Sequence, residues 1–140
     1  MADRMKQCNS VSVHMRFGDY VNNLVYENIC TEEYYRKSIE YVKLHIENPV
    51  FFVISDDLVR AQSILSNDNY VLVDINRGDS SYLDMYLIST CRHHIMANSS
   101  FSWWGVFFSE SGGIVVEPDK WININDSQAV WCDGWIKIKG

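Results

Sequence analysis

The sequence predicts an α/β domain built on a mainly parallel sheet, and three observations carry that expectation. Short runs rich in Val and Ile alternate along the 140 residues with segments patterned as helices. Most of these runs are apolar on both faces, as strands covered by helices on each side are. The segments between them are long enough to serve as the crossovers that parallel neighbours require.

Taken in order, the first strand is expected at "SVSVHMRF" (10–17). The first long helix, "TEEYYRKSIEYVKLHIEN" (31–48), opens on Thr31 as N-cap with two acids in its first turn. It places Tyr34, Ile39, Val42 and Ile46 near one face. A strand at "PVFFVISD" (49–56), a helix at "DLVRAQSILSN" (57–67) and a strand at "YVLVDIN" (70–76) continue the alternation. The helix "SYLDMYLISTC" (81–91), the strand "HHIMAN" (93–98), the helix "SFSWWGVFFSE" (100–110) and the strand "GGIVVEP" (112–118) complete it. The result is a Rossmann-like three-layer sandwich, expected to form a single domain over residues 1–140.

Bulk properties narrow the setting. An apolar content of 47% is enough for one core, and the net charge of −6, from 12 basic and 18 acidic residues, argues against a general nucleic-acid surface. The N-terminus "MADRMKQCNS" has no apolar signal region, and no run approaches the roughly 18 apolar residues that span a bilayer. A soluble chain is expected, cytoplasmic or peripheral to the inner membrane. Cys8, Cys30, Cys91 and Cys132 form no C-x-x-C pair, so reduced thiols are expected and neither zinc nor redox chemistry is implied.

Ligands of open α/β sheets bind beyond the carboxyl ends of the strands, and the polar clusters fall there. "HMRFGDY" closes the first strand, "SDD" (Ser55, Asp56, Asp57) the second, and "ANSSFSWWG" (97–105) joins the fourth strand to its helix. Asn98, Ser99 and Ser100 occupy a turn into a helix, where unpaired N–H groups and the helix dipole favour an anion. Arg16 is the natural phosphate partner across the site, since its guanidinium is always charged and bidentate. Plainer readings stand beside these. Arg16 also fits an ion pair with Asp19, Asp56 and Asp57 fit helix capping, and Ser99 and Ser100 fit a cap. His14 fits a satisfied core histidine, and His93 and His94 fit the start of a strand. Trp103 and Trp104 fit packing, although two adjacent tryptophans are not both buried on one helix face.

As a set these residues carry a resemblance. "VSVHMRFGDY" together with "SYLDMYLISTCRHHIMANSSFSWWG" (81–105) closely resembles the donor-binding half of bacterial α-1,2-fucosyltransferases, glycosyltransferase family 11, and the likeness covers nearly the whole chain, including "FFVISDD" and the tail "WCDGWIKIKG" (131–140). His14, Arg16, Gly18, Asp19 and Tyr20 match the family's H-x-R-R-G-D-Y stretch, with Phe17 where a second Arg is usual. Cys91, His93, Ile95, Ala97, Asn98 and the run through Gly105 match the second motif.

The resemblance implies one half of a GT-B glycosyltransferase, with the N-terminal acceptor domain absent. It implies inverting transfer of fucose from GDP-fucose to a galactoside hydroxyl, with no metal or other cofactor. Arg16 would contact the β-phosphate and stabilise charge building on GDP as the glycosidic bond breaks. Asp56 and Asp84 would accept hydrogen bonds from the guanine edge. The acceptor's proton would go to Asp19 or His14, whichever faces the acceptor, or to a group of the missing half. The implied partners are GDP-fucose, a galactose-containing glycan, and a second domain or subunit.

Two alternatives compete. One is a non-catalytic module that binds a nucleotide sugar or pairs with another subunit, for which exposed Trp103, Trp104, Trp121 or Trp131 would form the interface. The other is a receiver-like domain using the acids of "FFVISDD" and "VLVDIN" with Lys120 as the cation. It fits poorly, because it leaves Arg16 and "ANSSFSWWG" without roles.

Overall fold

The computed structural model describes residues 1–17, 29–65, 69–74, 82–121, 132 and 134–140. The elements are α1 (Ala2–Lys6), β1 (Asn9–Met15), α2 (Glu32–His45), β2 (Pro49–Ser55), α3 (Leu58–Ile64) and β3 (Tyr70–Leu72), followed by α4 (Tyr82–Thr90), β4 (His93–Ile95), α5 (Ser100–Phe107), β5 (Val115–Pro118) and β6 (Ile136–Ile138). The six strands form one sheet in the order β3-β2-β1-β4-β5-β6. Every neighbouring pair is parallel. This is the Rossmann-like α/β arrangement expected from the alternation. No helix among the described residues is long and apolar enough to cross a membrane.

Strand alternation sorts the side chains into two cores. Val11, Val13, Met15, Phe51, Val53, Ile95 and Val116 pack beneath α2 and α3, with Tyr34, Tyr35, Ile39, Val42, Ala61 and Ile64 closing that layer. Phe52, Ile54, Met96 and Val115 face the other way, against Met5 of α1, Leu87 and Ile88 of α4, and Val106 of α5. Full burial of each large apolar side chain is worth about 1.5–3 kcal/mol, so both layers hold the sheet.

α2 forms where its caps say it should. The Thr31 hydroxyl accepts the Tyr34 N–H at 3.2 Å, Glu32 and Glu33 lie in the first turn, and Lys43 and His45 lie in the last. The helix stops at His45, before Asn48 takes a positive φ of 49° and Pro49 begins β2. The Tyr34 hydroxyl donates to the Met96 carbonyl at 2.6 Å and the Tyr35 hydroxyl to the His14 carbonyl at 2.9 Å, so α2 is tied to the ends of both β1 and β4. On the opposite face α4 and α5 meet closely at Gly105. A Cβ there would lie 2.8 Å from Ile88 Cγ2, which gives that glycine a packing reason.

Several boundaries differ from expectation. β4 ends at Ile95 rather than at residue 98, and the Ala97 N–H bonds to the Ser102 hydroxyl at 3.2 Å instead of to a strand. β5 begins only at Val115, after Gly112 at φ 67°. α1 and β6 were not anticipated: five residues are too few to express a helical period, and β6 lacks the longer apolar run that marked β3 and β4. β6 nevertheless closes the sheet beside β5, pairing Glu117 with Lys137.

Candidate functional site

The strand order turns between β1 and β4. From β1 the chain first builds outward through β2 to β3, then returns to place β4 on the other side. A crevice opens at the carboxyl ends of such a pair because the two following connections leave on opposite faces. Val13 pairs with Ile95 in parallel, so the segments that follow, with Arg16 after β1 and Asn98 after β4, leave the sheet at the same end. Two motifs distant in sequence are therefore joined by sheet topology.

Arg16 follows β1 directly. Its Nε lies 3.6 Å from Asp56 Oδ2, with 34% and 31% of the two side chains exposed. The other Asp56 oxygen, Oδ1, accepts the Phe17 N–H at 2.9 Å. Asp56 thus braces the end of β1 through both oxygens, and the ion pair serves orientation more than stability at this exposure. Asp57 is the N-cap of α3, its carboxylate accepting the Arg60 N–H at 3.0 Å. Arg60 lays its guanidinium over the Phe17 ring, with Cζ 4.6 Å from the centroid.

Beyond the end of β4, Asn98 is buried and its amide donates to the Trp121 carbonyl at 3.1 Å. Ser99, also buried, holds the N-cap position of α5 with extended backbone (φ −139°, ψ 135°), and its side chain makes no capping bond. Ser100 begins the helix and is exposed. The first turn of α5 therefore has no side-chain cap from Ser99, and a helix N-terminus of this kind favours negative charge.

His14, one residue inside β1, is 5% exposed and its ring lies 5.5 Å from that of Phe101. Burial, with the charge of Arg16 adding to it, lowers its pKa to about 4. The imidazole is neutral near pH 7, and Nδ1 has no hydrogen-bond partner among the described residues. Asp84 is half-buried in the first turn of α4, on the α5 side of the sheet. Asp19 lies outside the described residues with Gly18 and Tyr20 of its motif, as does Trp131. Trp103 is half-buried against Trp135 and Phe107, whereas Trp104 is 44% exposed, so the adjacent tryptophans do part company.

The structure sets Arg16 beside Asp56, and the pairing of β1 with β4 leads these two residues and the Asn98–Ser100 turn out at the same end of the sheet. Among the described residues, no group of three His, Cys, Asp or Glu side chains is arranged to hold a metal ion. Sequence reading passed over two charged residues. Arg60 had a visible signal, an arginine in the first turn of a helix that opens at the ligand edge of the sheet. Glu117 is the one acid in an otherwise apolar strand, and it is wholly buried with neither carboxylate oxygen partnered among the described residues. Burial raises its pKa to about 7 against the lowering effect of Lys137.

The chain is similar to glycosyltransferases along almost its whole length. It is 40% identical over 150 aligned residues to an alpha-1,2-colitosyltransferase of Escherichia coli, covering 99% of this chain and 51% of that protein. It is 34% identical to the O-antigen biosynthesis glycosyltransferase WbnK of Escherichia coli, covering 95% of this chain and 46% of that protein. A galactoside alpha-(1,2)-fucosyltransferase 1 of Ateles belzebuth is 24% identical over 91% of this chain and 38% of its own length. The chain therefore spans about half the length, or less, of these curated relatives. No solved structure matches it. The family model for glycosyl transferase family 11 matches residues 2–139, nearly the entire sequence that forms the sheet and its crevice. On the motifs, the topology and these matches together, the chain belongs to glycosyl transferase family 11.

Proposed function

We propose that this chain is the donor-binding half of an inverting α-1,2-glycosyltransferase that moves a deoxyhexose, with fucose as the first choice, from a GDP-linked donor to a galactoside hydroxyl. The observation that supports the reading is the parallel pairing of β1 with β4 at the turning point of the sheet, which leads Arg16 and the N-terminus of α5 out at the same end. A diphosphate in that crevice meets a guanidinium from β1 and open N–H groups from α5.

In the transfer, the acceptor oxygen forms a bond to C1 of the donor sugar while the bond from C1 to the diphosphate oxygen breaks. The electron pair of that bond goes to GDP and the hydroxyl proton to a base. Charge grows on the β-phosphate oxygen as the bond lengthens, so Arg16 and the α5 N–H groups stabilise the transition state more than the ground state. Asp56 holds Arg16 in place and accepts the Phe17 N–H. Asp84 would reach the base of the nucleotide from α4. The proton goes to Asp19, to His14, whose burial counts against it, or to a group of a second domain or subunit. The acceptor glycan and the exclusion of water call for a second domain or subunit. No metal is required in this scheme, since the cationic work falls to arginine and backbone.

A colitosyl donor is the second reading, favoured because the relative at 40% identity is a colitosyltransferase while the fucosyltransferase quoted above is at 24%. Calorimetric titration of GDP and GDP-fucose into wild type and Arg16→Ala, without metal, tests the common part of both readings. Saturable binding to wild type that weakens about tenfold or more in the variant is expected. A folded wild-type protein that binds neither ligand would overturn the proposal. Competition between GDP-fucose and a colitosyl donor then separates the two sugars.

A further inference from the structure

Phe17 leaves β1 with its ring buried to 8% exposure in the layer beneath α2 and α3. Arg60 of α3 rests its guanidinium on that ring at 4.6 Å. An aromatic face holds a cation through its quadrupole and leaves the positive charge intact. In this Arg60 differs from Arg16, whose charge is shared with Asp56 at 3.6 Å. Among the described residues no Asp or Glu forms an ion pair with Arg60. The neighbouring Asp57 carboxylate is turned instead to the backbone N–H of Arg60 as the cap of α3.

The charge balance at the strand ends gives this arrangement a purpose. Arg16 and Asp56 together are neutral, and a helix N-terminus contributes roughly half a positive charge. A nucleoside diphosphate carries more than one negative charge at neutral pH, so the crevice as described by Arg16, Asp56 and α5 falls short of it. Arg60 stands at the same end of the sheet, in the first turn of the helix that follows β2, and a guanidinium whose face rests on an aromatic ring still donates in its own plane from the edge of its fork.

We propose that Arg60, carried by α3 and propped on Phe17, is a second guanidinium contact to the diphosphate of the donor, reaching it from the face of the sheet opposite α5. Phe17 is then a positioning residue and Arg60 a binding residue. This inference rests on the donor-binding reading above and adds to it a residue from a different element.

The test compares GDP and guanosine binding to wild type, Arg60→Ala, Arg60→Lys, Phe17→Leu and Arg16→Ala, with thermal unfolding of each as a control for the fold. Arg60→Ala should weaken GDP about tenfold and leave guanosine within about twofold, because the lost contact is to phosphate. Arg60→Lys should fall between, keeping charge but losing the planar fork and its stacking. Phe17→Leu keeps buried bulk and removes the aromatic face, so a several-fold loss of GDP affinity with guanosine unchanged is expected. Wild-type GDP affinity in Arg60→Ala alongside a loss in Arg16→Ala overturns this inference and leaves the donor-binding reading standing. Equal weakening of GDP and guanosine overturns it too, by making Arg60 structural. Absence of GDP binding in folded wild type overturns both.

Discussion

Beneath α2 and α3 the sheet presents an apolar layer in which the buried tyrosine hydroxyls of Tyr34 and Tyr35 are both hydrogen-bonded. Beneath α1, α4 and α5 the same strands present Ser12, His14, His94 and Glu117 among their apolar neighbours. His14 Nδ1, His94 Nε2 and both Glu117 oxygens lack partners among the described residues. The helices differ in the same sense. α2 has a side-chain cap, acids at its start, bases at its end, and ion pairs between Lys37 and Glu33 and between Lys43 and Glu40. α5 has no side-chain cap bond and no complementary charge at either end, and it exposes Trp104, Phe107 and Phe108. A buried polar atom without a partner costs about 1–3 kcal/mol, so stability is concentrated on the α2 face and given up on the α5 face. The proposed donor site lies where these meet: the α2 face anchors the ends of β1 and β4, and the other face supplies a helix terminus without a side-chain cap.

The largest effect expected from this contrast is in the α2 layer. Phe51→Ala, at a residue 1% exposed, should cost about 3–5 kcal/mol in denaturant unfolding, whereas Trp104→Ala should cost under about 1 kcal/mol. Equal costs would erase the distinction between the faces.

Next comes Glu117, whose carboxyl is shifted from 4.5 in the reference state to about 7 in the fold. A raised folded pKa means that the folded state holds the proton more tightly. Its contribution is full below pH 4.5 and is lost as pH rises through about 7. His14 works the other way: its pKa, lowered from 6.5 to about 4, removes stability as pH falls through that window. Glu117→Gln should therefore gain on wild type between pH 5 and pH 8 by on the order of 2 kcal/mol, read as the change in unfolding midpoint across that range. A constant difference at both pH values would mean that the carboxyl finds a partner when charged.

Gly105→Ala gains helix propensity but sets a Cβ against the buried side chain of Ile88, so a net loss of about 1–2 kcal/mol is expected. A stabilised variant would show that α4 and α5 slide apart easily. The smallest pair sharpens the contrast between caps. Thr31→Ala should cost about 1 kcal/mol through its lost bond to the Tyr34 N–H, and Ser99→Ala only a few tenths because its side chain caps nothing.

How much of this was legible beforehand follows from the range of each interaction. The alternation of elements, the Thr31 cap and the polar clusters at strand ends are local, so composition and period were enough to read them. The parting of Trp103 and Trp104 was legible too, since adjacent residues cannot share one helix face. α1 was too short to carry a helical period, and β6 has no longer apolar run around it of the kind that marked β3 and β4. Asp56 illustrates the limit: its sequence context suggests a helix cap or a contact to the guanine edge, with Asp19 as the ion-pair partner of Arg16, and it is the adjacency of β1 and β2 that sets Asp56 against Arg16 and the Phe17 N–H.

By itself, then, the sequence determined the fold class, the positions of most elements and the two motifs of glycosyl transferase family 11. Only the tertiary structure decided that β1 lies beside β4, that Arg60 rests on Phe17 and that Glu117 is closed off from water. Each of these depends on which strands become neighbours and which helix covers them. That choice is made by packing between segments remote in sequence, where local propensity has no say.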